Sequence, residues 1–70
     1  MDLIIANGGL PLYAIEIKIS NSSVLTKGNY YAYDVVNAKK NFVITSGSEV
    51  FKYQKNMTAC SLWNFLNHEF

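Results

Sequence analysis

Three side chains within the first eighteen residues have types and a spacing that could do chemistry: Asp2, Glu16 and Lys18. Two carboxylates held side by side repel, so they require a shared proton or a cation between them. A hard divalent ion, Mg²⁺ or Mn²⁺, suits an all-oxygen pair. The main-chain carbonyl of Ile17 offers a third oxygen. An amine two residues beyond Glu16 could stabilise charge developing on a phosphate or orient an attacking water. Asp2, Glu16 and Ile17 are thus the candidate metal ligands, and Lys18 the candidate catalytic group.

These residues can meet only if the chain folds back on itself. Asp2-Leu3-Ile4-Ile5-Ala6 is a short apolar run, and Asn7-Gly8-Gly9 is a strong turn signal. From Ile15 to Ile19, isoleucine at 15, 17 and 19 alternates with charge at 16 and 18, the period of a strand. Pro11 falls at that strand's beginning, where a missing amide donor is tolerated. The spacing predicts a hairpin over residues 2–18. A turn centred near Gly9 sets Asp2 opposite Glu16, with Cβ atoms about 5 Å apart. The isoleucines take the covered face and Asp2, Glu16 and Lys18 the other. An ordinary solvated hairpin face yields the same pattern, and is its commoner origin.

Asn21-Ser22-Ser23 offers N-caps, and residues 24–38 read as a helix. Its expected sheet-facing stripe is Val24, Tyr31, Val35 and Ala38, widened by Leu25, Gly28, Ala32 and Val36. Gly28, which costs about 1 kcal/mol relative to alanine in a helix interior, implies close approach to the sheet. Lys39 and Lys40 suit the helix C-terminus, and Asn41 the break. Residues 42–45 and 49–53 read as strands, 57–60 as a further short one, and 61–66 as a helix capped by Ser61. The order is β-β-α-β-β-(β)-α, a small mixed sheet with packed helices of the α/β (α+β) class.

The 70 residues suffice for one domain, 1–70, with a core that is marginal for its size. Self-association is the expected remedy, making a homo-oligomer the expected state. Six lysines, no arginine and five carboxylates leave a net charge of +1, which does not advertise a nucleic-acid surface. No apolar run reaches the roughly 18–20 residues that span a bilayer. One free cysteine and no leader pattern point to the cytoplasm. Cys60 reads as a small core residue, His68 as a surface one, and Tyr30 and Tyr33 as packing groups.

The run Asp2–Gly9, followed by Leu12-Tyr13-Ala14-Ile15-Glu16-Ile17-Lys18, resembles the motif core of the PD-(D/E)xK phosphodiesterases. More narrowly, it resembles the C-terminal domain of prokaryotic AAA-type ATPases of unknown function. Those domains continue with a helix of Lys-Gly type (here Lys27-Gly28), an F-V-I-T strand (Phe42–Thr45) and an aromatic tail (Trp63, Phe65, Leu66). The resemblance implies a restriction-endonuclease-like core lacking its first helix, hence a domain fragment. It implies Asp2 and Glu16 as Mg²⁺ or Mn²⁺ ligands, Lys18 as the catalytic lysine, and nucleic acid as substrate. An ATPase module is expected in a full-length relative. The alternative is a non-enzymatic dimerisation or interaction module.

Overall fold

The structure, a computed structural model, describes residues 1–19, 25–47, 50–54 and 56–67. Among these residues, seven elements follow the expected order: β1 (Leu3–Asn7), β2 (Leu10–Lys18), α1 (Lys27–Val36), β3 (Lys40–Thr45), β4 (Phe51–Gln54), β5 (Met57–Ser61) and α2 (Leu62–Asn67). The strands form one mixed sheet, β1-β2-β3-β5-β4. The three inner strands run parallel, and β1 and β4 close the two edges antiparallel.

The strands alternate between two cores because successive side chains point to opposite faces. Ala14, Val43 and Ala59 face α1 and pack with Leu25, Tyr33, Ala38 and Met57. Ile15, Phe42, Ile44 and Cys60 face the other way and pack with Tyr13 and Phe65 of α2. There the rings of Tyr13, Phe42 and Phe65 meet edge to face, the closest centroids 4.9 Å apart. Such pairs contribute about 1 kcal/mol beyond area burial. The isoleucine face of β2 is covered only at Ile15. Ile17 and Ile19 lie beyond the reach of α2 and are exposed.

The hairpin forms as expected, with a difference that matters. Gly8 (φ 61°) and Gly9 (φ 81°) both adopt the left-handed region that a two-residue type I′ turn demands. The turn therefore centres between the two glycines, with Asn7 opposite Leu10. That register alone would set Asp2 opposite Ile15. A bulge intervenes: Ala6 pairs with Pro11 and Ile5 with Tyr13, so Leu12 is the unmatched residue. Beyond it Leu3 pairs with Ile15, and the next position sets Asp2 opposite Glu16. Pro11 has no N–H to give the ladder, and bulges are where sheets accept proline.

The helix starts later than expected. Thr26 is its N-cap: Thr26 Oγ1 accepts from Asn29 N at 3.2 Å, and Asn29 Oδ1 accepts from Thr26 N at 3.0 Å. This is a capping box with Asn in the place usual for Glu or Gln. Leu25, just before the cap, and Tyr30 pack in one cluster, as in a hydrophobic staple. The expected caps, Asn21–Ser23, and Val24 lie outside the described residues.

The new start rotates the stripe. Tyr33, not Tyr31, faces the sheet: Tyr33 is 3% exposed and Tyr31 71%. The Tyr33 hydroxyl donates to the Phe42 carbonyl, and Tyr30 and Val36 pack beside it while Val35 is exposed. Gly28 makes no close approach to the sheet; an added Cβ would meet only Thr26 Oγ1, at 3.7 Å. The helix ends at Asn37, left-handed at φ 53°, whose N–H returns to the Tyr33 carbonyl. Asn41 is not the break but lies within β3, and Lys40 opens that strand. At the far end, Ser61 Oγ accepts from Asn64 N at 3.0 Å and caps α2 as expected. β4 begins at Phe51; Glu49 and His68 lie outside the described residues.

Candidate functional site

The site stands where β1 begins, β2 nears its end and α1 starts. Asp2 Oδ2 accepts from the main-chain N–H of Ile17 at 2.8 Å. The carboxylate thereby supplies the rung that β1, starting at Leu3, does not reach. In an antiparallel ladder a residue's N–H and C=O point to the same neighbour. The Ile17 carbonyl is thus directed toward the strand side where Asp2 lies.

Glu16 stands on the α1 face, one residue along from Ile15, and is half-buried. Asn29 Nδ2 donates to Glu16 Oε1 at 3.2 Å. The orientation of that amide is set by the capping box, because Asn29 Oδ1 is already engaged by Thr26 N and Oγ1. The helix cap and the carboxylate are therefore coupled through one side chain. The α-amino group of Met1 lies 3.8 Å from Glu16 Oε2, so a positive charge is accommodated against this carboxylate. Lys18 shares the side of β2 that carries Glu16, is half-buried, and forms no ion pair among the described residues.

Asp2, Glu16, the Ile17 carbonyl and Lys18 are thus brought to one end of the sheet. No group of three or more His, Cys, Asp or Glu comes together among the described residues. Two carboxylates fit a magnesium-like ion, which commonly takes one or two from the protein and completes its shell with water and phosphate oxygens. They would not make a closed structural site for zinc. Sequence reasoning missed Asn29. The signal available was its place three residues after Thr26, the spacing of a capping box.

The other candidates fall elsewhere. Cys60 is fully buried in the α2-side core, and burial pushes its thiol above the ordinary 9.0. Tyr30 lines a cavity of about 430 Å³ together with Asp34, Asn37 and Asn56, toward the opposite end of α1. No residue of the Asp2–Glu16–Lys18 set contributes to it. Among the described residues, no helix is long and apolar enough to cross a membrane. Comparison with protein-family models, with characterised proteins and with solved structures finds no match to this chain.

Proposed function

We propose that the chain carries the acidic pair and lysine of a PD-(D/E)xK phosphodiesterase centre, on a restriction-endonuclease-like core of the kind that ends prokaryotic AAA-type ATPases. The observation that carries this reading is the bulged hairpin register, which sets Asp2 against Glu16 and Ile17. Asp2, Glu16 and the Ile17 carbonyl would hold Mg²⁺ or Mn²⁺. A bound ion of this type lowers the pKa of its water and neutralises charge on a phosphoryl group. The chain's own residues do the rest. Asn29 holds Glu16 and the Ile17 amide holds Asp2, and the Lys18 ammonium would meet charge developing on a phosphate.

The group acted on would be a nucleic-acid phosphodiester. A net charge of +1 and the absence of arginine leave few groups to grip a strand. We therefore expect this 70-residue form to bind metal with little or no turnover. The test is a Mn²⁺ and Mg²⁺ titration followed by melting temperature and by cleavage of labelled DNA and RNA. Saturable stabilisation that disappears in Glu16→Ala supports the site. A wild-type chain whose melting temperature ignores both ions would refute it.

A further inference from the structure

Among the described residues, no strand pairs with the outer edge of β1. β1 pairs with β2 on one side only, so alternate backbone groups along Leu3–Asn7 point outward, a template for another strand. The edge carries no charge and no proline. Leu3, Ile4 and Ile5 are 49%, 46% and 37% exposed, so apolar side chains are left uncovered on both faces of one strand. The opposite edge is unlike it. β4 presents exposed Lys52, and its pairing with β5 slips between Lys52 and Gln54. Charge and irregularity are the usual means of blunting an edge. In the β1–β2 pair the unmatched residue belongs to β2, not to the edge strand.

We propose that β1 is a dimerisation edge: two copies of this chain join antiparallel through Leu3–Asn7 about a two-fold axis, extending the sheet from one protomer into the next. The strand is self-complementary in that arrangement. Pairing centred on Ile5 sets Leu3 opposite Asn7 and Ile4 opposite Ala6, so large residues meet smaller ones and no like charges face each other. The half-exposed apolar side chains of Leu3, Ile4 and Ile5 supply the surface that such a pairing would bury. Asp2 lies outside the paired stretch, so the inference does not rest on the metal site.

Sedimentation equilibrium of the full chain, with Ile4→Lys and Leu66→Lys variants, tests it. Leu66 is an exposed apolar residue of α2 and serves as the control for dimerisation through that helix. The wild type is expected to dimerise with rising concentration, Ile4→Lys to stay monomeric, and Leu66→Lys to behave as the wild type. Circular dichroism checks that each variant is folded. Amide exchange of the wild type is the second measurement, with β1 amides gaining protection as concentration rises. A monomer at every concentration, a dimer that survives Ile4→Lys, a dimer lost in Leu66→Lys, or β1 amides whose protection ignores concentration would each overturn the proposal.

Discussion

Replacing Asn29 by alanine should separate the two tasks of that side chain. The substitution removes the acceptor for Thr26 N and the donor to Glu16. Loss of a capping interaction costs about 1 kcal/mol. Loss of a hydrogen bond to a charged group costs about 1.5–3 kcal/mol when buried, and about 1 kcal/mol for a half-buried carboxylate after solvent screening. The total, about 2 kcal/mol, is a large share of the roughly 5 kcal/mol expected of a small domain. It corresponds to a drop in melting temperature on the order of 10 °C. Thr26→Ala loses the cap but leaves the Asn29–Glu16 contact, so it should cost only about half as much. Urea denaturation of Asn29→Ala, Glu16→Ala and the double variant measures the coupling directly, expected at about 1 kcal/mol. Zero coupling, or an Asn29→Ala loss no larger than that of Thr26→Ala, would refute the argument that the cap positions Glu16. Under the metal reading, Asn29→Ala should also weaken Mn²⁺ binding about tenfold, as loss of a ligand's supporting partner does.

Four further outcomes are expected. Inserting one alanine between Asp2 and Leu3 moves the carboxylate out of its place beside Glu16 while sparing the core; it should abolish Mn²⁺ stabilisation, read by thermal melting, and shift the metal-free melting temperature only slightly. Tyr33→Phe removes the buried donor to the Phe42 carbonyl and should cost about 1–2 kcal/mol in urea denaturation, whereas Tyr31→Phe should fall within about 0.5 kcal/mol of wild type. Phe42→Ala opens the ring cluster at about 3–5 kcal/mol and should leave the chain largely unfolded by circular dichroism. Because burial raises the Cys60 thiol above 9.0, its stabilising effect is complete below that pH and declines as pH rises through the folded value; stability should fall above pH 9 more steeply in wild type than in Cys60→Ala, and parallel curves would contradict this.

The order of elements is legible in the sequence because its signals are local. Gly8-Gly9 turns the chain, Ile15–Ile19 alternates, and Ser61 caps α2. The phase of α1 is not, because it depends on which of several polar residues caps it. Asn21, Ser22, Ser23 and Thr26 are all acceptable N-caps by residue type. Only Thr26 has both an asparagine three residues on and an apolar residue just before it. Moving the start turned Tyr33 inward and Tyr31 outward. The turn alone does not pair Asp2 with Glu16; the cause lies elsewhere, at Leu12. Gly28 has the sequence position of a packing glycine, yet nothing from the sheet lies near it.

The bulge at Leu12 has a consequence in simple parity. Thirteen residues separate Asp2 from Glu16, and two of them form the turn. The remaining eleven cannot be divided equally between two strands: five fall on β1 and six on β2. An odd separation across a two-residue turn therefore demands one unpaired residue if the two acids are to face each other. The length of this hairpin and the presence of its bulge are a single property. Deleting Leu12 would straighten the ladder and keep the acids together, whereas adding a residue to the turn would leave five against six and the bulge still required. Which residue flanks which acid is decided by a count made several residues away from either.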